Sequence, residues 1–105
     1  MKYGLSERTV AQICAVLAQY PAVHRAVLYG SRAKGNFKPG SDIDLSLFGI
    51  DLTPALCASI AESLDDLLLP YTIDLSVFAE LKHPELEAHI QRVGVVFFER
   101  EDRHK

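Results

Sequence analysis

Residues 40–48 read GSDIDLSLF. Turn formers open the segment and an apolar run closes it, the pattern of a short, half-buried β-strand over 42–48. Aspartates nevertheless stand at positions 42 and 44. Aspartate packs badly on a pleated surface and competes for backbone hydrogen bonds. Side chains alternate along a strand. Ile43, Leu45 and Leu47 therefore share one face and enter a core, while Asp42, Asp44, Ser46 and Phe48 share the other. Further on, IDLSVF at 73–78 repeats IDLSLF at 43–48 with one change. Read as part of a strand over 71–78, it sends Tyr71, Ile73, Leu75 and Val77 to the core and Thr72, Asp74, Ser76 and Phe78 the other way. The flanking segments do not match, so these are two strands under one constraint rather than a duplicated unit.

The stretch between them sets their relation. Thr53 as N-cap and Pro54 as first helical residue begin a helix. Leu56, Ile60, Leu64, Leu67 and Leu68 form its apolar stripe, and Pro70 closes it. A helical crossover of this length suits two parallel neighbours, and Asp42, Asp44 and Asp74 then converge. Asp42 and Asp44 stand about 6 to 7 Å apart along the strand. At an effective dielectric of about 20, two unit charges at that distance repel by roughly 2.5 kcal/mol. A third carboxylate adds to this, so the cluster calls for a compensating cation. An all-oxygen donor set suits Mg²⁺ or Mn²⁺ better than zinc.

The rest of the chain supplies a frame. Its 105 residues suffice for one domain, 1–105, and 49% hydrophobic with 24% charged residues is an ordinary soluble composition. The net charge of −3 argues against a nucleic-acid binder that works by bulk charge. No apolar run reaches the roughly 20 residues of a membrane helix, and MKYGLSERTV has no signal-peptide core. Cys14 and Cys57 form no CxxC pair and read as small core residues of a cytoplasmic protein. Ser6 caps a first helix that carries Val10, Ile13, Cys14 and Leu17 inward and stops at Pro21. Strands follow at 23–29 and 95–98, and a third helix opens at His83-Pro84 with Leu86, Ile90 and Val93 inward and stops at Gly94. The tail from Glu99 reads as charged and frayed. His24, His83, His89 and His104 show no ligand spacing, and Tyr29 reads as packing.

The connector GSRAKGNFKPGS (30–41) carries Arg32, Lys34 and Lys38 with no acid among them. A local positive patch ahead of an acidic cluster suits a phosphate-bearing guest, and successive N–H groups after Gly30 form an anion-binding concavity. A Walker A loop is excluded: Gly30 and Gly35 have its spacing, but Asn36 and Phe37 replace its Lys and Ser/Thr. The dinucleotide pattern G-x-G-x-x-G is also missing.

What remains is Tyr29-Gly30-Ser31, residues 32–41, then Asp42-Ile43-Asp44-Leu45, then a later aspartate in a strand. This resembles the DNA polymerase beta-like nucleotidyltransferase superfamily, and YGSRAKGNFKPGSDIDL is similar to its small stand-alone branch, the minimal nucleotidyltransferase (MNT) antitoxins paired with HEPN-domain toxins. The resemblance implies an α+β nucleotidyltransferase fold, a small mixed β-sheet with helices packed on one face. It implies Asp42, Asp44 and Asp74 as catalytic residues and ligands of two Mg²⁺ ions, with Mn²⁺ as a substitute. Gly30 and Ser31 would grip the triphosphate of ATP, helped by Arg32 and Lys34. The activity implied is transfer of AMP from ATP to a tyrosine hydroxyl of a cognate HEPN toxin, within a hetero-oligomer in the cytoplasm and without membrane or direct nucleic-acid contact. Two alternatives stay open: an antitoxin that inhibits by steric binding without catalysis, and transfer to a small molecule, as in aminoglycoside-modifying relatives, which usually carry an added helical domain.

Overall fold

The computed structural model describes residues 1–100. Its elements run α1 (Glu7–Ala18), β1 (Arg25–Tyr29), α2 (Ser31–Lys34), β2 (Ile43–Phe48), α3 (Pro54–Asp65), β3 (Ile73–Val77), a 3₁₀ turn (Phe78–Glu80), α4 (Pro84–Val93) and β4 (Val95–Glu99). Local chemistry sets the helix starts. The Ser6 and Thr53 hydroxyls accept from the Thr9 and Leu56 amides, and His83 does the same for Leu86 ahead of Pro84. The connector, read from sequence as turns alone, contains one helical turn, α2. The Leu68 end of the expected α3 stripe is corrected. The helix stops at Asp65, and Leu68 is 87% exposed with φ 56°.

The sheet has the order β3-β2-β1-β4. β1 pairs antiparallel with both β2 and β4, while β2 and β3, joined through α3, run parallel. The α+β class and the mixed sheet are as the sequence implied. Ala26, Leu28, Ile43, Leu45 and Leu47 meet Ile13, Leu17, Ile60 and Leu64 in the main core, so α1 and α3 cover one face. The expectation of helices on one face holds for these two and fails for α4, which lays Ile90, Leu86 and Val93 against Val27 and Tyr29 on the opposite face. α4 therefore shares the face that carries Asp44. β1 is apolar on both sides because α1 and α3 cover one and α4 the other.

The tail is corrected in part. Glu99 ends β4, and Arg100 donates from Nε to the Val23 carbonyl and from Nη2 to that of Tyr20. Residues 101–105 of the expected frayed tail, with His104, lie outside the described residues. Among the described residues no helix is long and apolar enough to cross a membrane.

Gly94, between α4 and β4, sits where a Cβ would stand 2.5 Å from Val27 Cγ1 and also against the Ile90 carbonyl. Gly94→Ala is expected to cost about 1–3 kcal/mol by overpacking and to lower Tm by at least roughly 5 °C at this chain length. An unchanged Tm in thermal denaturation would show that α4 is not seated this closely on the sheet.

Candidate active site

The parallel register of β2 and β3 builds the site. It sets Asp44 beside Asp74, Ser46 beside Ser76, and Ile43, Leu45 and Leu47 beside Ile73, Leu75 and Val77. The repeated hexapeptide thus becomes a ladder of like residues. Ser76 donates to Ser46 at 3.2 Å, and the rings of Phe48 and Phe78 stack with centroids 4.6 Å apart. These contacts sit on the same face as the aspartates and hold the two strands together despite the carboxylate pair. Neighbouring strands are about 4.8 Å apart, so Asp44 and Asp74 stand closer than Asp42 and Asp44. Asp42 precedes β2, where the Ile43 amide already donates to the Thr72 carbonyl at 2.9 Å.

Asp44 feels both neighbours. Its carboxyl is pushed above the ordinary carboxylate range, first by burial, then by the negative charges of Asp74 and Asp42, with His89 pulling the other way. Asp42 and Asp74 are exposed and Asp44 is half-buried. Among the described residues no group of three His, Cys, Asp or Glu side chains is gathered at metal-ligating geometry. The three carboxylates are thus placed as neighbours without being drawn to one point. Their donor chemistry fits a hard divalent cation: all oxygen, multiply charged and mutually repelling.

Gly30 follows β1 at the end of the sheet where Tyr29 pairs with Asp44. Its backbone (φ 77°, ψ −155°) lies in a region open essentially to glycine. A Cβ there would stand 2.5 Å from Asp44 Oδ2. Gly30 therefore leaves a gap beside the carboxylate as well as making the turn. Ser31 begins α2, and its carbonyl accepts from the Gly35 and Asn36 amides. Lys34 and Lys38 are exposed at the connector's surface.

Arg32 departs from its expected part as a triphosphate contact. It is 2% exposed, with its guanidinium turned inward. Nη1 donates to the Tyr3 carbonyl at 2.8 Å, Nε and Nη2 to that of Ser41 at 3.1 and 2.9 Å, and Nη2 also to that of Pro39 at 3.2 Å. The rings of Phe37 and Tyr71 lie 5.2 and 5.0 Å from its Cζ. A buried cation that satisfies carbonyls in this way fixes the backbone entering Asp42. Four of its five N–H donors are spent on carbonyls inside the protein, so it acts as a clamp on the connector.

Two residues that the sequence offers only as packing and as a histidine without ligand spacing stand on the acidic face. Tyr29 is buried on the Asp44 face, with its hydroxyl pushed up by burial first and by Asp44 and Asp74 after it. His89 of α4 meets the Tyr29 ring edge-on, with centroids 6.3 Å apart. Tyr29 owes its place to the β1–β2 register, in which it faces Asp44, whereas His89 reaches this face only because α4 lies on it.

Residues 11–103 match the model of a family described as "Polymerase beta, Nucleotidyltransferase". No curated protein sequence matches the chain. Among solved structures, a chain of a toxin–antitoxin complex with AMP-PNP superposes with a TM-score of 0.70 at 20% identity, covering 92% of this chain and 76% of that one. A chain of the tri-AMPylated Shewanella oneidensis HEPN toxin in complex with MNT antitoxin gives 0.69 at 18% identity, covering 91% and 74%. A chain of the MntA-HepT toxin–antitoxin gives 0.67 at 18% identity, covering 90% and 74%. At these identities the likeness is one of fold.

Because its raised carboxyl disfavours the ionised form, Asp44 weakens the metal-free fold as pH rises through that raised value; below the ordinary carboxylate range the penalty is absent. Asp44→Asn is therefore expected to raise metal-free Tm near pH 7. The gain should be about 0.5–1 kcal/mol, given solvent screening of a half-exposed group, or roughly 3–6 °C. It should vanish near about pH 3, where the carboxyl is protonated. Thermal melts at the two pH values check this; an equal gain at both, or none at neutral pH, contradicts the repulsion.

Proposed function

This chain belongs to the polymerase beta nucleotidyltransferase family, and from that premise we propose that it transfers AMP from ATP to a tyrosine hydroxyl of a HEPN-domain toxin and acts as that toxin's antitoxin. The observation that carries the reading is the pairing of Asp44 with Asp74, under the charge of Asp42, beside a turn that only glycine fits. Solved chains of like fold come from toxin–antitoxin complexes, one with AMP-PNP and one with an AMPylated HEPN toxin, which supports the nucleotide and the partner class.

In this reading Asp42, Asp44 and Asp74 hold two Mg²⁺ ions, or Mn²⁺ in their place. When bound, these supply positive charge that offsets the carboxylates and the triphosphate and polarises the α-phosphate. Gly30 gives the phosphates room beside Asp44, and the Ser31 hydroxyl and backbone N–H hold them. Lys34, exposed at the end of α2, offsets charge on the β- and γ-phosphates, whereas Arg32 keeps the connector and Asp42 in place. The acceptor oxygen attacks the α-phosphorus and forms the new P–O bond as the bond to the bridging oxygen breaks, releasing pyrophosphate. Asp74, the exposed outer carboxylate, takes the acceptor's proton. The protein's part is mainly positioning and charge neutralisation, as phosphoryl-type transfers require.

The test is intact mass of a co-expressed HEPN-domain partner, with a parallel incubation in α-labelled ATP and Mg²⁺. The partner should gain whole AMP units. Asp42→Asn or Asp44→Asn should lower the rate at least about a hundredfold, the weight of a lost electrostatic group at a reacting centre, with an unchanged circular dichroism spectrum. A partner that stays unmodified, yet is inhibited, would replace transfer with steric antagonism.

A further inference from the structure

At the end of the acidic face away from the aspartates, α4 and the sheet leave a cavity of about 250 Å³ lined by Arg25, Val27, Phe48, Ile90, Gln91 and Val96. Phe48 is four positions beyond Asp44 on β2, roughly 13 Å at the usual strand rise. The cavity is therefore separate from the transfer site. Its walls are mostly apolar, and Val96 on one side is 49% exposed. Its one charged lining residue is Arg25.

Arg25 is set up unusually. Its guanidinium lies over the Phe48 ring, 4.5 Å from Cζ to the centroid, and Phe48 in turn stacks on Phe78. This stack fixes the plane of the cation. Its Nε is buried without a hydrogen-bond partner among the described residues. Glu99 stands opposite Arg25 in the β1–β4 ladder but is exposed to solvent. Arg32 and Arg100 show how this protein treats its other inward guanidinium groups, giving each several carbonyls. Nε itself is shut off from solvent, so an acceptor arriving in the cavity that Arg25 lines would meet the guanidinium through its terminal N–H groups.

We propose that this cavity is a recognition pocket for an acidic side chain carried on an apolar segment of a partner protein. The carboxylate would meet the Arg25 guanidinium and the Gln91 amide, and the flanking apolar residues would pack on Val27, Ile90 and Val96. Charge complementarity selects the occupant. A guanidinium held flat in an apolar pocket recognises a planar carboxylate, and the apolar walls require a hydrophobic stem, which a free inorganic anion lacks. The pocket does not depend on the transfer reaction and would hold a partner whether or not AMP is moved.

The experiment is NMR of the ¹⁵N-labelled protein, following the Arg25 Nε–H and Gln91 side-chain resonances. The probes are acetyl-Leu-Glu-Leu-amide, acetyl-Leu-Gln-Leu-amide, glutarate and inorganic phosphate. The Glu peptide is expected to shift both resonances saturably, and the Gln peptide to bind at least about tenfold more weakly, the weight of one charge-assisted hydrogen bond. Arg25→Gln should abolish the Glu preference, with the remaining amide spectrum and the Asp44 resonance unchanged. Gln91→Ala, which keeps the Arg25 stack, should weaken binding severalfold and serves if Arg25→Gln does not fold. Equal binding of the two peptides, phosphate or glutarate binding as tightly as the Glu peptide, or no shift with any probe overturns the proposal.

Discussion

The parallel pairing of β2 with β3 is the constraint from which the rest of the molecule follows. One register sets three kinds of neighbour at once. Isoleucine and leucine pairs enter the main core beneath α1 and α3. A serine pair and a phenylalanine pair link the strands on the other face. An aspartate pair stands at one end of that same face. A slip of one residue would send every apolar side chain of β3 to the wrong side. The apolar pairs thus fix the register that forces two carboxylates together, and the cost of that repulsion is carried by contacts that have no part in chemistry.

A second layer of order comes from the connector. A segment of turn residues that leads from β1 to β2 has few backbone partners of its own. Arg32 provides them, binding carbonyls of Tyr3, Pro39 and Ser41 from inside the protein. Gly30 supplies a backbone shape that other residues resist, beside Asp44. The two residues play opposite parts. One fills space and removes freedom just before Asp42, and the other leaves space next to Asp44. Together they give the acidic cluster a defined edge without placing any further side chain in it.

Much of this could be read in the sequence because it rests on short-range rules. Period-two alternation assigned the faces of β2 and β3, and the N-caps at Ser6 and Thr53 marked two helix starts. The crossover through α3 implied parallel neighbours. The features that escaped depend on tertiary placement. Arg32 lies among exposed cations in the connector, and nothing in its spacing separates an inward guanidinium from the outward Lys34 and Lys38. The side of the sheet chosen by α4 is likewise invisible in its stripe of Leu86, Ile90 and Val93, since both faces of β1 are apolar. With that choice unknown, His89 could not be placed near Asp44, nor Arg25 beside Gln91. Leu68 falls outside α3 because a helical stripe does not announce its last turn, and the chain leaves the helix before reaching it.

Carbon-detected NMR titration of the aspartate carboxyl groups, with and without Mg²⁺, tests most directly whether three acidic groups share one charge environment that cations relieve. In metal-free protein the Asp44 midpoint should lie above the ordinary carboxylate range and move down in Asp74→Asn, and Mg²⁺ should lower it and shift the carbonyl signals of Asp42, Asp44 and Asp74 together. An Asp44 midpoint that is indifferent both to Asp74→Asn and to Mg²⁺ would mean that the carboxylates do not act as a unit, and the site described above would lose its basis.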